Sequence, residues 1–291
     1  MYQGKIKFYY VFKVRFNQFI RWKRNSRPYL TIDSFADFCE VNVTPTKYRD
    51  KKPSLKEISN AKSIFCRSDK LQDFLDTHQN IVSASIIVSG NTDFEFHEKL
   101  RNIPASVKRL YLQNCFICDD SLYQTIPIGI ENFRLGVNGN PRYLKKKTFY
   151  GNRKNKVLLG PFSLTHIDRS IVYNSIQTSE YIDVVKKRIA PKKLSNVFQN
   201  YKFIAAVRGN GVDTHRIWEA LYRGCIPIVQ KSDWSSFLTE LALPIEFVSN
   251  WTTIELKKCI DTSIINEFDP SNIASLWMPY WESRMNEDIS S

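Results

Sequence analysis

The chain has 291 residues, enough for one large domain or two of typical size, and its 43% hydrophobic and 13% aromatic content excludes a disordered polymer. No apolar run of about 18 residues is present, which excludes a predicted membrane span, and no uninterrupted apolar stretch marks a secretory signal, so a reducing, cytoplasmic setting is expected. The formal charge of +13 is segregated: residues 1–155 hold 27 Lys and Arg against 14 Asp and Glu, whereas residues 156–291 hold 15 of each.

Such segregation points to an anionic partner for the first half, since solubility alone needs none. The first 27 residues carry eight basic side chains and no acid, with aromatics between them. Ile6, Phe8, Tyr10, Phe12, Val14 and Phe16 alternate as in a strand, while Phe12, Phe16, Phe19 and Ile20 fit one helical face. Two readings stand side by side: an anchor making peripheral contact with an anionic cytoplasmic membrane face, or a first core element with solvated lysines.

Residues 63–66 read as a short strand and 69–77 as a helix started by an Asp or Ser cap. Residues 81–89 (IVSASIIVS) are a β-branched, buried strand that ends at Gly90, Asn91, Thr92 and Asp93. Residues 94–101 read as a helix and 107–112 as a strand. Cys115 and Cys118 make one CxxC, but no second pair or His cluster completes a zinc site, so no metal is expected and the six cysteines read as reduced thiols. The Gly-, Asn- and Lys-rich stretch 136–156 is the best linker.

A second series follows. Residues 157–159, 201–207, 225–229 and 245–248 read as strands, and 167–177, 234–241 and 252–262 as helices. Strands alternating with helices imply parallel sheets. Two such series around a linker predict an α/β protein with two Rossmann-like domains, 1–155 and 156–270.

The densest signal is residues 208–229, RGNGVDTHRIWEALYRGCIPIV. The strand YKFIAAV ends at Arg208, and Gly209 and Gly211 permit a tight turn with close backbone approach. Asp213 or Thr214 can cap the helix that follows, Gly224 fits its C′ position, and CIPIV is a buried strand. A helix start at the carboxyl end of a parallel strand is a place where open α/β sheets hold phosphate. Arg208 can add a bidentate contact, and Glu219, one turn after His215, can accept hydrogen bonds from ribose hydroxyls. The spacing is neither GxGxxG nor a P-loop, so on spacing alone an ordinary βαβ unit fits as well.

The stretch resembles the nucleotide-sugar motif in the C-terminal domain of exostosin-like glycosyltransferases and is similar, more loosely, to the matching segment of α-1,3-fucosyltransferases. SIIVSGNTDF, LYLQNC, IPIGIEN and VLLGPFSL carry weaker similarity. The resemblance implies a glycosyltransferase-B fold, a nucleotide-diphosphate sugar bound by the C-terminal half, and a glycan acceptor, anionic or lipid-linked, held by the basic N-terminal half. It implies that Arg208 contacts the diphosphate, that Gly209 and Gly211 form the turn beside it, and that Asp213, Thr214 and His215 lie near diphosphate or sugar. Arg216 would assist the diphosphate or brace the loop, and Glu219 would bind ribose. By position, Ser163, Thr165 and His166 follow the first strand of the second series, where capping of the next helix is the favoured reading and lining the cleft beneath the diphosphate the alternative. Families of this fold often end in a helix crossing back onto the first domain, which is the expectation for residues 271–291, with Trp277 and Trp281.

Retaining members often show two glutamates eight positions apart. Here Pro227 and Gly211 stand eight from Glu219, which favours inversion. Inversion needs one base on the acceptor hydroxyl. Asp93, at the carboxyl end of the SIIVSG strand, is the first candidate and His97, four residues on, the second; a helix-capping role for Asp93 is the plain alternative, and Glu95 and Asp119 remain open. No Asp-x-Asp pair suits a metal-bound diphosphate, so no cofactor is expected, and a UDP-sugar is favoured over GDP-fucose. No nucleic-acid motif accompanies the basic charge, so no nucleic-acid partner is expected.

Overall fold

The computed structural model describes residues 26–45, 51–117, 120–135, 138–144, 153–265 and 267–291. The basic segment 1–25, with its strand, helix and lipid-anchor readings, lies outside the described residues, as do Cys118 and Asp119. The chain forms two α/β units, each built on a five-stranded parallel sheet. One unit runs to Pro141 and takes in Trp277–Ser291; the other is Arg142–Leu276. The boundary expected at 155/156 cuts a strand, Lys154–Leu159, of the second sheet. Residues ahead of it are already tied to the second unit, since Ser195 Oγ donates to the Tyr143 carbonyl at 2.5 Å.

In the first unit the strands are β1 (Val41–Asn42), β2 (Ser63–Arg67), β3 (Ile86–Gly90), β4 (Arg109–Gln113) and β5 (Tyr123–Ile126). They lie side by side in chain order, so the sheet has no reversal. Side-chain alternation divides the core. Ile64, Cys66, Ile87, Leu110 and Leu112 meet α2 (Leu55–Asn60) and α3 (Leu71–His78) through Ile58, Leu71, Phe74 and Leu75. The opposite face is covered by α1 (Ile32–Phe38) and the last helix, Met278–Ser290. There the Phe35 and Trp281 rings lie 5.9 Å apart, Tyr111 Oη donates to Asp288 Oδ2 at 2.6 Å, and Arg284 donates to Gln124 Oε1 at 3.0 Å. The helices start where local chemistry dictates: Thr31 accepts from the Ser34 N–H, and Ser54 with Glu57 forms a capping box.

The helix expected over residues 94–101 does not form. Its backbone donors and acceptors are claimed from outside: Phe96 N–H donates to Asn114 O at 3.0 Å, Phe116 N–H to Phe96 O at 2.9 Å, and Leu100 N–H to Tyr123 Oη at 2.8 Å. A bridge to Cys115 extends Phe96, and tertiary pairing overrides local helical preference.

The second unit is doubly wound. Its strands are β6 (Lys154–Leu159), β7 (Ile182–Val184), β8 (Tyr201–Ala205), β9 (Ile226–Gln230) and β10 (Glu246–Val248), in the order β7-β6-β8-β9-β10. On one face α4 (Ile167–Ile176) and α8 (Thr253–Thr262) bury Val172, Ile176, Leu256 and Ile260 against Val157, Leu159, Phe203 and Ile228. On the other, α5 (Pro191–Phe198) and α6 (His215–Leu221) bury Leu194, Phe198 and Ala220 against Leu158 and Ile204. A short α7 (Ser236–Glu240) follows β9.

Asp183 on β7 clamps the neighbouring strands, accepting from Lys154 Nζ and Tyr201 Oη, both at 2.7 Å. The Lys154 hydrogen bond first, then Tyr201, holds its carboxyl down to about 2. The stabilisation is present above the ordinary carboxylate range and disappears as the pH falls toward the folded value. Asp183→Asn is therefore expected to lose about 1 kcal/mol at neutral pH, after allowance for solvent screening of a partly exposed pair. Denaturant titrations should show that gap closing as the pH falls below about 4; a pH-independent gap would rule out the charge origin.

Candidate functional site

The chain leaves β6 to form β7 on one side and returns to form β8 on the other. Open α/β sheets take ligands outside the carboxyl ends of the strands at such a reversal. Two loops border it here, residues 160–166 after β6 and 206–214 after β8. Two arginines lace them together. Arg169, from α4, donates through Nε to the Arg208 carbonyl at 3.0 Å and through Nη1 to Ser163 O at 2.9 Å and Thr165 Oγ1 at 3.2 Å. Arg216, from α6, donates to Gly160 O at 3.0 Å and Pro161 O at 2.8 Å. Each helix thus holds the loop that precedes the other. Gly209 lets Arg169 approach closely: a Cβ there would stand 3.0 Å from Arg169 Nη2, so the guanidinium would have to shift by a few tenths of an ångström.

A cavity of about 200 Å³ lies at the carboxyl ends of β8 and β9, lined among others by Asp168, Arg208, Lys231, Ser232, Trp234 and Trp251. Arg208 curls over its own turn, donating to Asn210 O at 3.1 Å. Trp234 is 1% exposed, and its indole N–H, itself enclosed, has no hydrogen-bond partner among the described residues.

The remaining motif residues take different places. Thr214 caps α6 by accepting from the Arg216 N–H. His215 is half-buried at the first helical position, and Gly211 is buried in the turn. Ser163 and Thr165 serve Arg169, and His166 rather than either of them caps α4 by accepting from the Asp168 N–H. Asp213 and Glu219 are 4% and 6% exposed. Asp213 Oδ1 accepts from Trp218 Nε1 at 2.8 Å, and Glu219 Oε2 lies 3.5 Å from Arg216 Nε. Both carboxylates are thus partnered within the protein. The reason is burial: every α6 residue from Ile217 to Leu221 is buried, and a carboxylate among them needs an internal cation. Burial lowers the pKa of Arg216, Glu219 opposes that, and a guanidinium stays charged throughout.

The first unit holds its own polar cluster at the carboxyl ends of β3 and β4. Asn91, at φ 64°, receives no side-chain help from its neighbours in sequence; its N–H donates to Gln113 Oε1 at 3.0 Å. Asn91 Nδ2 donates to Asp33 Oδ1 at 3.3 Å, and Asn132 Nδ2 donates to Asn91 Oδ1 at 2.7 Å. Arg134 Nε closes the group on Asp33 Oδ2 at 2.7 Å, both side chains largely buried. Sequence reading missed these residues because four separate segments supply them. Asp93 is exposed two residues beyond Asn91. His97 is exposed, its ring stacks 4.3 Å from Phe116, and its Nε2 lies 3.3 Å from Glu95 Oε2. Without the expected helix, the four-residue spacing puts Asp93 and His97 on no common helical face, and Asp93 caps no helix.

Among the described residues no group of three His, Cys, Asp or Glu is placed to hold a metal ion. Cys115 of the CxxC is buried, and burial pushes the thiols of Cys66 and Cys225 up to about 12 and about 11. No helix among the described residues is long and apolar enough to cross a membrane. Comparison with known proteins found no matching family model and no matching curated protein.

Proposed function

We propose that the protein is a glycosyltransferase of the glycosyltransferase-B type, moving a sugar from a nucleotide-diphosphate donor, a UDP-sugar by preference, to a glycan hydroxyl with inversion and without a metal. The observation that carries this reading is the reversal-point crevice of the second unit. Its turn is the RGNG sequence that resembles the nucleotide-sugar motif, and the adjoining cavity is lined by Arg208 and Lys231. Two cations suit a leaving diphosphate, whose charge grows in the transition state. Gly209, Gly211, Thr214 and His215 shape the turn. Arg169 ties the turn to the loop after β6, and Arg216, paired with Glu219, holds that loop to α6, so the donor meets a preorganised surface.

In the reaction so read, a carboxylate of the first unit takes the proton of the acceptor hydroxyl. The oxygen attacks the anomeric carbon from the face opposite the diphosphate, the glycosidic bond forms as the bond to phosphate breaks, and the nucleoside diphosphate leaves. Asp93, exposed at the end of β3, is the proposed base. His97 is the second choice, with Glu95 as its carboxylate neighbour.

Calorimetry with UDP, GDP, CMP and their sugar conjugates tests the reading. Saturable binding of one nucleoside diphosphate family supports it and decides between UDP and GDP-fucose donors; no response to any of them would remove it. Asp93→Asn is expected to abolish sugar transfer, by about 100-fold or more, while leaving the donor Kd unchanged. Full turnover in that variant would move the base elsewhere.

A further inference from the structure

The second unit carries another surface that the cavity beside Arg208 does not use. Leu164, Ile167 and Ile171 are 65%, 66% and 55% exposed. They are three of the six large apolar side chains at least half exposed among the described residues, and they fall within eight positions of one another. Ile167 and Ile171 stand one turn apart on α4, on the side away from Val172 and Ile176, which enter the core. A cavity of about 140 Å³ is lined by Leu164 together with Phe162, Tyr173, Val185 and Lys186 among others. It links Leu164 to the start of residues 186–193, KKRIAPKK. That stretch exposes five cations, Lys186, Lys187, Arg188, Lys192 and Lys193, and contains no acid. Lys186 Nζ lies 5.9 Å from the Tyr173 ring centroid, and Lys186 shares the lining of the cavity with Leu164. The nearest acid before it on the strand, Asp183, is already held by Lys154.

We propose that this face of the second unit docks on an anionic lipid surface. Leu164, Ile167 and Ile171 enter the boundary between headgroups and acyl chains, and the cations of residues 186–193 meet the headgroup phosphates. Charge complementarity selects this occupant. Three aliphatic side chains make a patch too small for the core of a stable protein interface, while a lipid boundary rewards apolar insertion plus clustered positive charge without demanding shape complementarity. A nucleic acid would use the cations and leave the aliphatic ridge in water. The inference stands on surface chemistry alone and does not rest on the glycosyltransferase reading.

Co-sedimentation of the full chain with vesicles tests it, comparing phosphatidylcholine alone with phosphatidylcholine containing about 30% phosphatidylserine. The wild-type chain is expected to bind the anionic vesicles and release from them as salt rises. The variant Lys186→Glu/Lys187→Glu/Arg188→Glu should lower the partition coefficient about a hundredfold or more, and Ile167→Ser/Ile171→Ser about tenfold. All three substituted cations and both isoleucines are exposed, so the melting temperature should hold in both variants. The first 27 residues stay intact throughout. Binding that survives both variants places lipid contact elsewhere and overturns the proposal, as does wild-type binding to neither vesicle. Loss in the charge variant with none in the isoleucine variant overturns insertion of the ridge and with it the docking described here.

Discussion

Arg208→Ala is expected to weaken nucleoside-diphosphate binding by about 10- to 100-fold, the loss of one or two charge-assisted hydrogen bonds to phosphate. Arg208 lines the cavity, and its guanidinium donates to the Asn210 carbonyl. Its removal should affect the diphosphate far more than the nucleoside, so titrating nucleoside and nucleoside diphosphate side by side gives the signature. Lys231→Ala should show the same selectivity, since it lines the same cavity. Glu219→Gln provides the contrast: its carboxylate is turned toward Arg216, so the donor Kd should change little in protein that remains folded. Equal affinity for the diphosphate in wild type and Arg208→Ala would remove Arg208 from the donor site; a large Kd change confined to Glu219→Gln would restore the ribose contact.

Arg216→Ala is expected to destabilise the second unit by about 3 kcal/mol, because truncation leaves Glu219 as a buried charge without its cation. It also strips the Gly160 and Pro161 carbonyls of their donor, freeing the loop after β6 from α6. The guanidinium lies 4.9 Å from the Phe198 ring centroid, so lost packing adds to lost charge. Denaturant unfolding followed by tryptophan fluorescence would measure it. The double variant Arg216→Met/Glu219→Leu should recover much of the loss, as replacing a whole buried pair by apolar groups often does. A loss below about 1 kcal/mol in Arg216→Ala would show the pair to be solvent-screened instead.

Several elements were legible in the sequence because their signal is local. The runs IIVSG, YKFIA and IPIVQ are apolar on both faces, as parallel strands buried between layers must be. The turn after YKFIAAV, the cap at Thr214 and the positive φ of Gly224 follow from side-chain size and hydroxyl chemistry alone. That the chain alternates strand and helix, and so forms parallel sheets, was readable from the same pattern.

What depends on partners distant in sequence was decided only in three dimensions. Residues 94–101 have helical spacing, yet the Asn114 and Phe116 backbone and the Tyr123 hydroxyl claim their backbone groups, so Asp93 and His97 share no helical face. Glu219 carries the motif position that suggests a ribose contact, but complete burial of the last five residues of α6 turns its carboxylate to Arg216. Arg169 belongs to no motif, and its role appears only when the reversal between β6 and β8 brings two loops within reach of one guanidinium. The strand orders, in chain order in one unit and reversed in the other, depend on which crossovers share a face, and hydrophobic periodicity is the same for both. The sequence therefore determined which segments must be buried and where the backbone can turn, while the tertiary structure chose each polar group's partner, since a buried charge answers to its neighbours in space.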